Sequence, residues 1–153
     1  MGSEMCIRDR GGVSPYHLEG GCDVVYQMGT AKFGARNDDA TLNEDKLAAI
    51  CENTNIKMVE IKLSQGAKPG KGGILPGNKV TAEIAAIRGI DEGKSALSPN
   101  RHVDAANVEE LLDLIHRVRE ASGRPAGIKM CICLLYTSPS PRDLSTSRMP
   151  SSA

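Results

Sequence analysis

The sequence predicts an α/β protein built on parallel strands, and two observations carry that prediction. Strand-like and helix-like runs alternate between Cys22 and Ile132, in the order β-α-β-α-β-α-β, and strict alternation implies parallel strands joined by crossovers. The stretch 57–79, KMVEIKLSQGAKPGKGGILPGNK, passes from a strand into a loop rich in glycine and lysine. Such loops form ligand sites where the strands of α/β proteins end.

The elements follow in order. Cys22 to Gln27, CDVVYQ, reads as a buried strand because Val24, Val25 and Tyr26 are strong strand formers. Asn43 is placed to cap a short helix in which Leu47, Ile50 and Cys51 share a face. Lys57 to Leu63 forms the second strand. Val80 to Arg88 reads as a helix with Ile84 and Ile87 on one side, and Ser95 to Ser98 as a weak third strand ended by Pro99. Val108 to Ser122 is the clearest helix. Asn107 and Glu110 supply a capping box, Gly123 suits the position after the last turn, and Val108, Leu111, Leu112, Ile115 and Val118 form its apolar stripe. Ala126 to Ile132 is the fourth strand. A doubly wound sheet and a (β/α)₈ barrel both satisfy this pattern. A complete barrel takes about 250 residues.

Composition narrows the function. Nineteen Lys+Arg balance 19 Asp+Glu, which argues against the clustered basic footprint of a nucleic-acid binder. No stretch approaches the apolar length of a membrane span. Of the five cysteines, Cys6 and Cys133 lie near the ends, and Cys22, Cys51 and Cys131 are far apart. No CxxC pair suggests a zinc ribbon or a disulfide framework, so a reducing, cytoplasmic setting is expected. His17, His102 and His116 have no ligand-like spacing, and no metal site is expected.

The loop Gln65–Lys79 carries the chemistry. Gly66, Gly70, Gly72, Gly73 and Gly77 allow close backbone approach to a ligand, and Lys68, Lys71 and Lys79 favour an anion. It is not a P-loop, because Gly66 and Gly70 are one residue too close and Lys71 is followed by Gly72. GxGxxG also fails, because Leu75 stands where the third glycine belongs. The competing reading is a flexible surface connection, although so long an irregular loop tends to be functional. Gln65 offers an amide and Lys68 an ammonium for a carboxylate or keto oxygen; the alternative is two solvated loop residues. Lys129 interrupts an apolar strand, where a lysine is costly unless paired, or else points to solvent from an edge. Glu60 and Lys62 flank Ile61 and share a strand face as a candidate ion pair.

The two ends read differently from the middle. A DNA stretch that encodes GSEMCIRD (Gly2–Asp9) encodes, on its opposite strand in a shifted frame, CLLYTSPS (Cys133–Ser140). The ends therefore resemble a sequencing-library adapter read in both directions, and TSRMPSSA (Thr146–Ala153) an outer adapter. Residues 1–10 and 133–153 are expected to be adapter-derived, disordered tails that pack against nothing. The native part is expected to run from about Gly11 to Ile132, open at both ends.

EIKLSQGAKPG and the GG-x-LPG-x-KV after it (Glu60–Val80) resemble, almost residue for residue, the FMN-binding synthase domain of glutamate synthases, whose pattern there is EIK-[IL]-x-QGAKPG-x-GG-x-LPG-x-KV. Tyr26-Gln27 with MGTAKFG resembles the family's KQ-x-x-x-GRFG turn. GGVSPYHLEGG resembles the end of its NTGEGG segment. Ser98-Pro99 with His102 and Asp104 resembles SPPPHHD, and GIKMC (Gly127–Cys131) its VKL strand. The resemblance spans Gly11 to Ile132 and implies a partial (β/α)₈ TIM barrel of about four strands with intervening helices. It implies FMN as cofactor, lined by Gln27, Lys62 and Lys129, with Gln65 and Lys68 holding the carboxylate of 2-oxoglutarate; no catalytic residue is assigned. The parent reaction implied is reduction of 2-iminoglutarate, formed from 2-oxoglutarate and ammonia (free or glutamine-derived), to L-glutamate. Its electron donor would be ferredoxin or an NAD(P)H-linked subunit. The strand with the MSFG turn, the later phosphate-binding strands and the cysteine triplet of a 3Fe-4S cluster are absent here. The chain is thus expected to be an inactive fragment of an oxidoreductase acting on CH–NH₂ donors. Alternatives are the flavin subunit of a related amino-acid synthase such as N-methylglutamate synthase, or a non-enzymatic anion-binding module.

Overall fold

The computed structural model describes residues 6–7, 12–63 and 72–130. Its elements are β1 (Cys6–Ile7), α1 (Pro15–Glu19), β2 (Val24–Met28), α2 (Glu44–Cys51), β3 (Ile56–Lys62), β4 (Ile74–Leu75), a 3₁₀ turn (Gly77–Lys79), α3 (Ala82–Arg88), β5 (Ala96–Leu97), α4 (Val108–Ser122) and β6 (Ala126–Lys129).

Local chemistry sets the helix ends. The Asn43 side chain accepts from the Lys46 amide at 2.9 Å, and Glu44 and Asp45 place negative charge on the first turn of α2, where free N–H groups favour it. Thr81 caps α3 in the same way at 3.3 Å, and Gly89 (φ 64°) ends it in the left-handed region. Asn107 caps α4 through the Glu110 amide at 2.8 Å. The Glu110 carboxylate reaches back to the Ala106 amide and to the Asn107 side chain. Gly123 (φ 60°) closes α4 through an N–H bond to the Arg119 carbonyl at 3.0 Å, as its sequence position predicts. Helix α1 has no counterpart in the sequence reading. Pro15 opens it and the Ser14 N–H donates to His17 Nδ1 at 3.3 Å.

The main sheet has four parallel strands in the order β1-β2-β3-β6 and is open. Two expectations are corrected here. Ser95–Ser98 does not enter this sheet: Ala96–Leu97 pairs antiparallel with Ile74–Leu75 in a separate ribbon, and β3 pairs directly with β6. A strand in a parallel sheet is covered on both faces and needs a sustained apolar run; SALS is too short and polar, and Leu97 stays 64% exposed. The second correction concerns the amino-terminal segment. Cys6 and Ile7 pair with Val24 and Val25, so these two residues do lie against β2. The edge of β2 presents unsatisfied backbone groups, which an extended chain satisfies whatever its side chains.

One face of the sheet meets the helices. Val24, Tyr26, Met28, Val59 and Ile61 pack with Leu47 and Cys51 of α2 and Leu114 and Val118 of α4, together with Ala35 and Leu42. The side chains of α2 and α4 thus share one core, and the Arg117 guanidinium joins Glu44 across them at 2.5 Å. The apolar stripe of α4 is rotated from the predicted one. Leu114, Val118 and Ser122 are buried, whereas Val108 and Leu112 are 66% and 59% exposed. A smaller cluster joins Ala31, Phe33 and Ala96 with Leu75 and Ile90. Among the described residues no helix is long and apolar enough to cross a membrane.

Candidate functional site

Side chains alternate across a strand, and residues in register on neighbouring strands share a face. Val59 and Ile61 belong to the helix-facing core, so Met58, Glu60 and Lys62 project from the opposite face. Register then places Gln27 and Gly127 beside Glu60, and Lys129 beside Lys62. The three residues expected to line a cofactor, Gln27, Lys62 and Lys129, therefore share one face. Lys62 and Lys129 end their strands and Gln27 is next to last in its own. Ligands of α/β proteins gather at these carboxyl ends. Lys129 lies on the strand at the edge of the sheet formed by the described residues and is half-buried.

The Gln27 amide nitrogen donates to Glu60 Oε1, and Gln27 is buried. Glu60, expected to pair with Lys62 on the same face, thus has Gln27 as a partner. Gly127 adds no side chain on the other flank of Glu60. The tip of Met58 fills that position, 2.2 Å from where a Cβ on Gly127 would stand. Gln65 and Lys68 lie outside the described residues.

The carboxyl ends of β2 and β3 are bound together by a buried polar network that sequence reasoning did not assemble. Lys32, with no exposed side-chain surface and a φ of 47°, bonds Asp104 at 2.5 Å and the Ala40 carbonyl at 3.3 Å. Asp104 also accepts from the Leu42 amide at 3.1 Å, and Thr30 Oγ1 donates to the Pro99 carbonyl at 2.7 Å. Burial lowers the Lys32 ammonium below the ordinary lysine value, opposed by Asp104. Burial acts to raise the Asp104 carboxyl, but the Lys32 hydrogen bond and charge outweigh it and hold it below the usual carboxylate range.

His102 is 2% exposed. Its Nε2 lies 3.0 Å from the Lys62 carbonyl oxygen. A carbonyl only accepts, so this nitrogen carries the proton, and Nδ1 has no hydrogen-bond partner among the described residues. Burial, and then the nearby Lys32 charge, lowers the imidazole below the ordinary histidine value. The sequence signals for this network were slight: a lysine between Ala31 and Phe33, and His102 and Asp104 two residues apart. His17 is buried in α1. His116 is exposed and pairs with Glu120 at 3.1 Å.

The glycine-rich loop is partly corrected. Gly72 and Gly77 make close backbone contacts within the protein. An added Cβ would stand 1.8 Å from the Ser98 carbonyl oxygen in one case and 2.1 Å from that of Gly93 in the other. Gly72 N–H donates to Asn100 Oδ1 at 2.9 Å, and the Ser98 N–H to the Gly73 carbonyl at 2.8 Å. This half of the loop is built as β4 and a 3₁₀ turn, with Lys79 exposed. Among the described residues no group of three or more His, Cys, Asp and Glu could hold a metal ion.

Residues 6–135 match the family model described as "Conserved region in glutamate synthase". The chain belongs to the glutamate synthase family. The chain is 41% identical over 120 residues to the glutamate synthase large subunit-like protein YerD of Bacillus subtilis, covering 78% of this chain and 23% of that protein. It is 45% identical over 116 residues to the archaeal glutamate synthase [NADPH] of Methanocaldococcus jannaschii, covering 76% and 20%. It is 50% identical over 110 residues to the archaeal-type glutamate synthase [NADPH] of Thermotoga maritima, covering 71% and 19%. The chain thus spans about a fifth of the length of these relatives.

Proposed function

We propose that this chain is part of an FMN-dependent, glutamate synthase-type oxidoreductase that reduces 2-iminoglutarate, from 2-oxoglutarate and ammonia, to L-glutamate. The observation that carries this reading is the gathering of Gln27, Lys62 and Lys129 on one face, at the carboxyl ends of adjacent parallel strands. Strand order that follows chain order without reversal, with α2 and α4 sharing one core, supports part of a (β/α)₈ barrel whose interior is the polar face. A doubly wound sheet would reverse its order at the binding crevice.

The residues present fit a flat, polar-edged cofactor. The Gln27 amide and the Lys62 and Lys129 ammonium groups share the face, with Glu60 between Gln27 and Gly127. Bound FMN would supply the hydride. Lys62 and Lys129 would stabilise negative charge on the reduced ring in a site of low dielectric. Gln65 and Lys68 would hold the 2-oxoglutarate carboxylate. The electron donor, ferredoxin or an NAD(P)H-linked subunit, and a cytoplasmic setting belong to the same reading. So does the assignment of the sequence ends to adapter DNA, which recovery of the parent reading frame would test.

In the full-length parent, Lys68→Ala should raise KM for 2-oxoglutarate while leaving flavin content near the parental level. Loss of a buried carboxylate partner costs on the order of 2–5 kcal/mol. Unchanged 2-oxoglutarate kinetics would remove Lys68 from the site. A parent without flavin, or one inactive with 2-oxoglutarate and ammonia, would overturn the reaction.

A further inference from the structure

We propose that Glu60 is a positioning residue that fixes the orientation of the Gln27 amide, so that its carbonyl oxygen faces the cofactor as an acceptor for a ring N–H. This rests on the flavin reading of the polar face.

The argument begins with the asymmetry of an amide. One end of Gln27 donates and the other accepts, and the two are similar in shape. Packing alone therefore distinguishes them poorly. An ionised carboxylate only accepts, so a carboxylate neighbour decides the matter. Gln27 and Glu60 are register partners on adjacent strands, and the Gln27 nitrogen is the atom that faces Glu60 Oε1. The carbonyl oxygen must then turn away from Glu60. Gln27 is buried and β2 and β3 are both flanked in the sheet, so the pair cannot swing out without giving up buried contacts. A buried donor facing a carboxylate is also costly to invert, because inversion sets two acceptors against each other.

Glu60 has no side chain beside it on β6, where Gly127 is its register partner. Gln27 is therefore its cross-strand side-chain partner on this face. The ligand class that matches is a planar heterocycle with an N–H on its edge, as in a pyrimidinedione ring. A heterocycle presenting only acceptors would meet an acceptor and be disfavoured.

Two measurements test this. The first uses the 153-residue chain, in which Gln27 and Gln65 are the two glutamines. The Gln27 side-chain amide protons should exchange slowly by NMR relative to those of an exposed glutamine, and Glu60→Gln should abolish the difference. Fast exchange of the Gln27 amide in the unsubstituted chain overturns the proposal. The second uses the full-length parent loaded with FMN. Gln27→Met and Glu60→Gln should each weaken flavin binding about tenfold, the scale of one lost buried hydrogen bond. The double variant should be no worse than either, and Glu60→Gln should shift the visible absorption bands of bound flavin. Additive losses, or Glu60→Gln with parental affinity and spectrum, overturn it. A parent that holds no FMN while the Gln27 amide is protected identifies the flavin reading as the failed step, and overturns the ligand assigned here.

Discussion

The two faces of the parallel sheet are made by the same strands and obey opposite rules. On the helix side, Val59 and Ile61 of β3 have no exposed surface and meet Leu47, Leu114 and Val118. On the other side, Met58, Glu60 and Lys62 alternate with them, and Gln27 and Lys129 join from the flanking strands. The difference teaches where each kind of information lies. Stability is concentrated where apolar area is removed from water. Polar groups are tolerated where each has a partner, as Gln27 has Glu60. Substitutions on the first face should therefore act through folding, and on the second through ligand.

The comparison breaks first at Lys32, a charge buried beside the helix-facing core. Lys32→Met leaves Asp104 with a buried, poorly compensated charge and should cost about 3–5 kcal/mol. Pairing it with Asp104→Leu should recover much of that loss, because desolvating two charges offsets most of what their attraction supplies. Urea unfolding of the three variants measures this, and a double variant no better than Lys32→Met would show that the network acts by more than charge.

Ile61→Ala should cost about 2–5 kcal/mol through the cavity it leaves. Lys129→Ala, across the sheet on a half-exposed edge, should change stability by about 0.5 kcal/mol or less. Equal losses at the two positions would mean that the polar face is packed as tightly as the core.

Acid should sharpen the contrast through His102. Its folded-state pKa lies below the ordinary histidine value, so the unfolded chain takes up a proton more readily. The stability this group permits is complete above the ordinary histidine range and declines as pH falls through it. Asp104, held below the usual carboxylate value, adds a second decline as pH falls below that range. Unfolding free energy followed from pH 7 downward should show the first decline, and His102→Gln should remove it. Arg117→Met should also have a small effect. Its ion pair with Glu44 is partly exposed and Asp104 lies 3.8 Å away, and such pairs contribute about 0.2–1 kcal/mol.

What the sequence disclosed was mostly local. Asn43, Asn107 and Gly123 act within a few residues, and the helices they bound lie where they imply. β2 and β3 were legible because β-branched and aromatic residues cluster in them. The Ser95–Ser98 strand went astray because its partner, Ile74–Leu75, lay hidden in a glycine-rich stretch. In the α4 stripe Val118 and Ile115 do meet the core, but Leu114 takes the place expected of Leu112, two positions earlier, because the two are chemically alike and contact with the sheet chooses between them. Lys32 and Asp104 meet across 72 positions, and His102 and Lys62 across 40. No periodicity encodes such pairs. The resemblance implies Gln27, Lys62 and Lys129 one by one, but their common face depends on strand register.

The pairing of β3 with β6 sets an order of events during folding. β2 and β3 are separated by residues 29–55 and can zip together early, with α2 formed between them. The partner strand on the other side of β3 arrives only after residues 63–125. Closing so long a segment is entropically slow, and late contacts of this kind dominate the folding time of parallel sheets. On a ribosome, β3 would leave the exit tunnel well before its neighbour is synthesised. For that interval its free side would be a half-made template, and a nascent chain in that state is the one most in need of a chaperone.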